Sequence, residues 1–432
     1  MSYQKFREDA ELESLQFESF DYFLNEVNPL NGLILDKTAP HWPASIAATG
    51  FALAAYPVAV ERHFMSRSLA IERTLNTLRF FWNSPQSPEP DATGYKGFYY
   101  HFLDMKTGRR AWKSELSTID SSFLIAGMLT AGCYFDGQNA EEQEIRELSE
   151  ALYTRVDWQW AQNQKNTVTL GWRPETDFLP YWWDGFDEAL LLYILGLGSP
   201  SHPLPESSYI DWGNSYEWKN IYGIEYLYAG PLFTHHYSHM WVDFKNIQDA
   251  FMRKKKIDYF ENSRRATYVH QQYCIRNPLD YKNYFECCWG LTASDGPGHI
   301  KRKIDGIERQ FYNYVARGAP YGPDDGTISP WASVASLPFA PEIVLPLIDH
   351  FVHELKLKLE NSYGFKASFN KTYRNKKYPE GWISEYHFGI NQGPIVLMIE
   401  NYRSGLLWSL MKKCPFIIQG LKRAGFTGGY LS

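Results

Sequence analysis

Apolar residues recur along most of the chain at the three- and four-residue spacing of amphipathic helices, most clearly from Ser117 to Cys133. The spacing predicts about ten to twelve helices. The clearest lie at residues 12–27, 43–60, 64–84, 117–133, 141–163, 184–198, 243–256, 258–274, 341–358 and 391–412. Short strand pairs fit only near "GFYYHFLDMKTGRRAW" and "TVTLGWRP".

The predicted helices fall into two classes. Residues 189–197 and 395–399 are apolar on nearly every side, whereas residues 141–163 and 243–274 are half polar. A helix that is apolar all round must be surrounded by protein. We therefore predict an all-α toroid of two concentric helical layers, with a few short β-hairpins in its loops. No linker divides residues 1–432, so one domain is expected; a plain bundle or an α-solenoid is the alternative.

Composition narrows the possible partners. The net charge is −6, and the only basic run, "RKKKID", is typical of a solvated helix end, so nucleic acid is not expected as a partner. The longest apolar run, Ala189 to Leu197, is too short to span a membrane. Aromatic residues make up 17% of the chain, more than a core needs, and their rings can also contact sugar faces. The five cysteines form no CxxC pair and are expected to be free, buried thiols.

The first residues, "MSYQKFREDAELESLQ", lack the apolar segment of a signal peptide. As written, the chain is therefore expected in the cytoplasm. A chain whose leader had been removed would look the same, and the expected location would then be the periplasm.

Three carboxylates precede the most apolar helix, in "YWWDGFDEALLLYIL". Asp184 is the predicted N-cap, and Asp187 and Glu188 then fall in the first turn, where the helix dipole favours anions. One acid is enough to cap a helix, and these three follow Trp182 and Trp183. The excess predicts that this buried helix end opens onto a polar site.

Two further segments place acids before apolar runs. In "KSELSTIDSSFLIAGML", Ser117 is the predicted N-cap and Asp120 lies three residues later, as in a capping box, while Glu115 falls in the preceding loop. Capping is thus an alternative role for Asp120. In "ECCWGLTASDGPG", Trp289 is followed by a turn that contains Asp295.

A fourth segment, "EGWISEYHFGINQGPIVLMIENY", places Trp382 and Glu385 before a helix whose predicted cap is Asn391. Glu400 lies inside that helix, where a carboxylate needs a partner. Arg403, three residues further on, could supply one, so a structural role is predicted for Glu400.

The segment "HHYSHMW" places His235 and His239 four residues apart, so a helix would align them. A zinc site usually has a third ligand, and the HExxH pattern is absent, so we predict no metal and instead contacts to a hydroxyl-rich ligand. The patterns GxxxxGK(S/T), GxGxxG and GxSxG are absent as well. Their absence argues against nucleotide, dinucleotide and serine-hydrolase chemistry.

Acids at buried helix ends, with tryptophan beside them, suit glycoside hydrolysis, which needs one protonated carboxyl group and one carboxylate. A tryptophan that desolvates a carboxyl group raises its pKa. Glu188 is therefore the predicted general acid, and Asp120 is the predicted base. The predicted substrate-binding residues are Glu115, Trp182, Trp183, Asp187, His235, His239, Trp289, Asp295, Trp382 and Glu385.

Five segments in order between residues 115 and 425 resemble the bacterial glucoamylase-like domain family, which includes β-1,2-glucanases. They are "DGFDEALLLYILGLGSPSHPLP", "GPLFTHHYSHMWVDF", "CWGLTASDGPG", "DDGTISPWASVASLPFAPEIVLP" and "GINQGPIVLMIENYRSGLLW". The resemblance implies an (α/α)6 toroid with a pocket at one end. It further implies hydrolysis of β-1,2-linked glucan to sophorose or short oligomers, with inversion and without a cofactor. Carried over by segment, Asp120, Glu188, Asp295 and the residues before Asn391 would line the pocket.

Other functions fit the same type of fold. A sugar 2-epimerase-like isomerase would use histidines as acid and base, and His235, His236, His239 and His387 are the candidates. A sugar-binding protein without catalysis would not need so many acids. A polysaccharide lyase would need a basic groove, which this acidic chain does not predict.

Overall fold

The computed structural model describes residues 3–358 and 363–432. Its α-helices are α1 (Tyr3–Asn25), α2 (Ile46–Glu61), α3 (Arg67–Asn83), α4 (Thr118–Tyr134), α5 (Ala140–Thr154), α6 (Leu190–Gly198), α7 (Glu206–Trp212), α8 (Tyr237–Trp241), α9 (Ala250–Lys255), α10 (Tyr259–Arg276), α11 (Pro330–Ala335), α12 (Pro341–Asp349), α13 (Gly389–Arg403), α14 (Leu406–Met411) and α15 (Pro415–Arg423). Its strands are β1 (Ala44–Ser45), β2 (Gly94–Tyr95), β3 (Phe98–Tyr100), β4 (Phe102–Leu103), β5 (Leu116–Ser117), β6 (Gly171–Arg173), β7 (Asp177–Phe178), β8 (Trp218–Ile221), β9 (Ile224–Leu227), β10 (Ala293–Ser294), β11 (Ile300–Ile304), β12 (Ile307–Phe311), β13 (Val315–Ala316), β14 (Phe369–Asn370) and β15 (Trp382–Ile383).

The helices form two layers, because their residues divide into two kinds. Helices α2, α4, α6, α8, α11 and α13 are buried on nearly all sides and form an inner ring. Helices α1, α3, α5, α7, α10 and α12 bury one face and form the outer layer. In the inner ring α2 contacts both α4 and α13, α4 contacts α6, α6 contacts α8, and α11 contacts α13. The predicted (α/α)6 toroid is confirmed.

The centre of the ring is filled by stacked aromatic side chains. Phe51 of α2 lies 5.8 Å from Phe123 of α4 and 5.5 Å from Trp241 of α8, measured between ring centroids. Tyr237 of α8 stacks on Trp331 of α11 at 6.0 Å, which joins these two neighbours in the ring. The toroid therefore has a packed centre rather than a channel.

Helices α2 and α4 approach so closely that only glycine fits between them. A Cβ atom on Gly127 would lie 2.1 Å from the carbonyl oxygen of Gly50. Since that oxygen belongs to the backbone, it cannot move aside as a flexible side chain could. This pair of glycines sets the spacing of the two inner helices.

The connections at the two ends of the ring differ in length. Inner helices lead to outer ones through short links, such as residues 62–66 and 135–139. The links from outer to inner helices are long, as in residues 84–117, 155–189 and 277–329, and they contain strands β2 to β7 and β10 to β13. The five-stranded sheet β2-β3-β5-β6-β7 unites both predicted strand regions and places β5 directly before α4.

Several predicted boundaries were wrong. The helix predicted at 141–163 ends at Thr154, and only Ala250–Lys255 is helical within 243–256. The segment 391–412 is divided into α13 and α14 by Gly405, whose φ of 70° interrupts a helix. Helix α12 passes into a π-helical turn after Asp349. The pattern missed α7, α11 and α15, which are all short.

Glu400 has the structural role that was predicted, but its main partner is a different arginine. Its carboxylate accepts hydrogen bonds of 2.8 Å from both Nε and Nη2 of Arg62 and one of 2.6 Å from Ser404. Arg403 instead donates to Gln16 and Glu13. This pairing holds α13 against the end of α2.

Two other expectations concern thiols and membranes. The five cysteines are free, as predicted, but Cys133 and Cys287 are only partly buried. Among the helices of the described residues, none is both long enough and apolar enough to cross a bilayer.

Candidate active site

A cavity of about 570 Å³ opens at the end of the ring where the inner helices begin. The long links from outer to inner helices build its walls. Its polar lining residues are Asp36, Lys37, Ser45, His101, Glu115, Ser117, Asp120, Glu188 and Asp295. Its aromatic lining residues are Trp42, Phe102, Trp112, Phe123, Trp183, Phe233, Tyr237, Tyr314 and Phe388.

Asp120 reaches the cavity from the first turn of α4. Ser117 is the N-cap, as predicted, since its Oγ accepts a hydrogen bond from the Asp120 backbone N–H at 3.2 Å. The same hydroxyl donates to Oδ2 of Asp120 at 2.5 Å. The Asp120 side chain is therefore held in one orientation, and the residue is only 6% exposed.

His101, to which no sequence pattern pointed, lies between two carboxylates. Its Nδ1 donates to Glu115 at 2.9 Å, and its Nε2 is 3.7 Å from Oδ2 of Asp120. Burial acts to lower the pKa of His101, but Asp120, Glu115 and Asp36 together raise it to about 9. The imidazole is thus a cation at neutral pH, and it orients the carboxylates on both sides.

Glu115 and Asp36 respond differently to the same surroundings. Burial acts to raise the pKa of Glu115, but the hydrogen bond and the charge of His101, together with the charge of Arg173, outweigh it, and the pKa is lowered. Burial raises the pKa of Asp36 to about 6, although Trp42 donates to its Oδ2 at 2.9 Å. The sequence offered no signal for Asp36, which lies in an irregular segment before α2.

The segment before α6 is not capped in the way the sequence suggested. The helix begins at Leu190 with Ala189 as its N-cap, so the prediction that Asp184 caps it was wrong. Asp187 and Glu188 precede the helix instead of forming its first turn. Oδ1 of Asp187 accepts from the Ala189 backbone N–H at 2.9 Å and from Nε1 of Trp212 at 3.1 Å. Asp187 therefore orders this turn from outside the cavity lining, and burial raises its pKa to about 7.

Glu188 is the cavity carboxyl group with the strongest reason to hold a proton. Burial raises its pKa well above the usual range, and the charges of Asp120 and Asp187 raise it further, while His101 acts in the opposite direction. None of the described residues forms a hydrogen bond with its carboxyl group. A carboxyl group whose pKa is raised in this way holds its proton more readily and can donate it to a bound ligand.

The two tryptophans before Glu188 differ in position. Trp183 lines the cavity and donates from Nε1 to Oγ1 of Thr118 at 3.0 Å. Trp182 lies outside the cavity lining, where Nζ of Lys165 is 3.3 Å from the centroid of its ring. Only Trp183 therefore belongs to the predicted group around Glu188.

The two histidines predicted to contact a ligand lie in the core. His235 is fully buried and donates to the Ala229 carbonyl at 3.3 Å, and His239 contacts Oγ of Ser263 at 3.0 Å. They belong to two successive short helices, so one helix does not align them. Burial lowers the pKa of His235 to about 4 and that of His239 to about 3, so both rings are neutral.

Three more predicted binding residues lie outside the cavity lining. Trp289 is fully buried in the main core. Trp382 packs in a small separate cluster with Phe311. Glu385 is exposed and pairs with Lys377 at 3.2 Å.

Asp295, by contrast, lines the cavity as predicted, and its loop is fixed by a buried ion pair. Arg317 and Asp325 are both fully buried, and Nε of Arg317 donates to Oδ1 of Asp325 at 2.7 Å. The same guanidinium donates to the carbonyls of Ser294 at 2.8 Å and Asn313 at 3.2 Å. It thereby ties the Asp295 loop to the segment that carries Tyr314.

Fold and site together define an (α/α)6 toroid with an acidic, aromatic-lined cavity at the N-terminal ends of its inner helices. The family model Glycoamylase, described as "Putative glucoamylase", matches residues 180–415. The chain belongs to this family, which confirms the resemblance noted in the sequence.

Similar proteins match over nearly the whole chain. A Bacteroides uniformis protein described in the same words as the family has 33% identity and a TM-score of 0.87, over 98% of this chain and 99% of that one. An endo-β-1,2-glucanase from Chitinophaga pinensis, solved with sophorotriose and glucose, has 29% identity and a TM-score of 0.86 over the same shares. An exo β-1,2-glucooligosaccharide sophorohydrolase (non-reducing end) of Parabacteroides distasonis is 28% identical over 95% of this chain. This chain spans 57% of that relative's length.

Proposed function

We propose that the protein is a glycoside hydrolase that cleaves β-1,2-linked glucan or its oligosaccharides to sophorose or short oligomers. The observation that carries the proposal is the pairing in one cavity of Glu188, whose pKa is raised by burial, with Asp120, whose charge raises that pKa further. Similar proteins whose names specify β-1,2-glucan support the choice of linkage.

In the proposed reaction Glu188 acts as the general acid. It donates its proton to the glycosidic oxygen as the bond to the anomeric carbon breaks. Asp120 acts as the general base and accepts a proton from a water molecule, whose oxygen attacks the opposite face of the anomeric carbon. The sugar is released with inverted configuration, and no cofactor takes part in these steps.

The surroundings of Asp120 suit this role. The Ser117 hydroxyl and the imidazolium of His101 fix its position, and Glu115 in turn orients His101. Asp120 is therefore already oriented before a substrate binds. Glu115 acts on this reaction through His101 and is a positioning residue.

The epimerase-like alternative has weaker support. His235, His236 and His239 lie in the core, and burial lowers the pKa of each. The histidine that does line the cavity, His101, is already paired with two carboxylates. It has no free nitrogen with which to take a proton from a sugar.

The test is hydrolysis of linear β-1,2-glucan, with β-1,3-glucan, starch and free glucose as comparison substrates, followed by chromatography of the products. We expect sophorose or short β-1,2 oligomers from the first substrate alone. Glu188→Gln should abolish release while the variant stays folded and binds oligosaccharide. Glu147→Gln, which changes an exposed glutamate on α5, is the matched control and should retain full activity. Full activity of Glu188→Gln would rule out Glu188 as the acid.

A further inference from the structure

A strained turn presents a tryptophan at the edge of the cavity. The backbone N–H of Ser114 donates to the Ala111 carbonyl at 3.0 Å, so Trp112 and Lys113 are the two central residues of a β-turn. Their φ angles are 54° and 52°. Positive φ at both central positions is the mark of a type I′ turn, which strongly prefers Asn-Gly. Two residues with long side chains adopt this conformation at an energetic cost.

A buried arginine holds this turn in place. Arg110 donates from Nε to the Ser114 carbonyl at 2.6 Å and from Nη2 to the Lys113 carbonyl at 2.8 Å. Its guanidinium also pairs with both carboxylate oxygens of Glu175, at 2.8 Å and 3.1 Å, and lies 4.6 Å from the ring centroid of Tyr100. The Arg110 side chain is only 1% exposed. The strained backbone is therefore fixed by contacts that form before any ligand arrives.

The side chain that this turn presents has no core to fill. Trp112 is 56% exposed, although it lines the cavity. Its ring meets the edge of Trp42 at 4.6 Å and lies 5.3 Å from Phe102. Trp42 is itself fixed by its hydrogen bond to Asp36. A large ring that is held rigidly and left exposed beside a cavity is suited to binding.

We propose that Trp112 is an aromatic platform that stacks on a glucosyl unit at the mouth of the cavity, outside the two units that flank the cleaved linkage. Asp120 is nearly buried on an inner helix, whereas Trp112 lies on an exposed outer loop of the same cavity. The platform is therefore occupied only by chains long enough to extend past the acids. It sets a preference for longer substrates, and this inference rests on the proposed function.

The test compares Trp112→Ala with wild type on β-1,2-gluco-oligosaccharides of increasing length. We expect KM to rise about tenfold for long chains, as is typical when a tryptophan anchor is truncated. The kcat at saturation and the kcat/KM for the shortest substrate should not change. Trp112→Phe should restore most of the loss. The matched control is Trp82→Ala, which removes an exposed tryptophan of α3 and should leave all constants unchanged.

A second measurement separates binding from turnover. Long oligosaccharides titrated into Glu188→Gln and into the double variant Glu188→Gln/Trp112→Ala should show weaker binding to the double variant. Equal affinity of the single and double variants would overturn the proposal. So would a KM of Trp112→Ala that equals the wild-type value at every substrate length, or a loss of kcat that does not depend on length. If wild type cleaves none of the glucans, the proposed function fails; if wild type cleaves them and Trp112→Ala behaves identically, only the platform fails.

Discussion

A buried neutral histidine makes the stability of this protein depend on pH, and His239 provides the clearest test. The polar groups near it are His235, His236, Lys245 and the hydroxyl of Ser263. Burial is the main cause that lowers its pKa to about 3, and His235 and Lys245 act in the same direction. The ring therefore stays neutral in the folded protein at pH values where an exposed histidine is protonated.

The expected magnitude follows from the two pKa values. In the unfolded chain the pKa of a histidine is about 6.5, so at pH 5.0 the unfolded ring is protonated and the folded ring is not. The unfolded state then binds the extra proton, and stability falls as the pH falls below 6.5. At about 1.4 kcal/mol per pH unit, the loss from His239 between pH 7.5 and pH 5.0 is about 2 kcal/mol. The loss would stop growing below about pH 3, because the folded ring is then protonated as well.

Other groups titrate over the same range, so the difference between variants is the useful quantity. His235 and His270, with pKa values lowered to about 4 and about 3, add to the loss. Asp36 and Asp187 oppose this loss. Their pKa values are raised in the folded protein, so the folded state takes up these protons at a higher pH than the unfolded chain and is stabilised on acidification. Comparing His239→Gln with wild type removes these shared contributions.

The assay is urea unfolding, followed by tryptophan fluorescence at pH 7.5 and pH 5.0. We expect His239→Gln to be less stable than wild type at pH 7.5, yet to lose about 2 kcal/mol less on acidification. His202→Gln, at an exposed surface position, should lose as much as wild type. If His239→Gln and wild type lose equal stability on acidification, His239 is not held neutral and the reasoning fails.

Two further predictions concern packing. Arg317→Met leaves the buried carboxylate of Asp325 without its arginine and should lower the free energy of unfolding in urea by about 3–5 kcal/mol. Arg374→Met breaks a surface pair and should lower it by at most about 1 kcal/mol. Similar losses for the two variants would contradict the burial argument. Gly127→Ala should lower the free energy of unfolding by about 1–3 kcal/mol, because its Cβ would meet the Gly50 carbonyl. Gly213→Ala is the matched control, because a Cβ there has no neighbour closer than 3.8 Å. Thermal unfolding should show a lower melting temperature for Gly127→Ala and almost no change for Gly213→Ala. Equal melting temperatures for the two glycine variants would show that α2 and α4 can move apart.

The toroid could be predicted from the sequence because burial leaves a direct trace in the residue pattern. Helices such as α2 and α6 are apolar on every side, and only a surrounding layer can bury them. Helix starts were less accurate. Asp184 looked like a cap, but Gly185, with φ of 85°, turns the chain there and α6 begins later. Aspartate is common both at helix N-caps and in turns, so its presence in the sequence does not distinguish the two.

The candidate site was predictable where an acid adjoins a helix, and also at Asp295, where a turn follows a tryptophan. Asp120 and Glu188 stand next to apolar runs, and both line the cavity. His101 and Trp112 lie in the long link between α3 and α4, where no periodicity distinguishes an inward from an outward side chain. His239 was misplaced for a related reason: a polar residue type suggested a ligand contact, but its partner is the buried Ser263 of α10.

The unequal links at the two ends of the ring separate this protein into parts that can change independently. The short turns at one end, such as residues 62–66, fix the order and spacing of the helices. The long links at the other end, such as residues 84–117 and 277–329, carry much of the cavity wall. Insertions or exchanges in residues 277–329 would therefore reshape the range of accepted chains, while the helical frame, Asp120 and Glu188 stay in place. Directed evolution of specificity should concentrate on these links, and grafting one of them from a relative would transfer a cavity wall without redesigning the core.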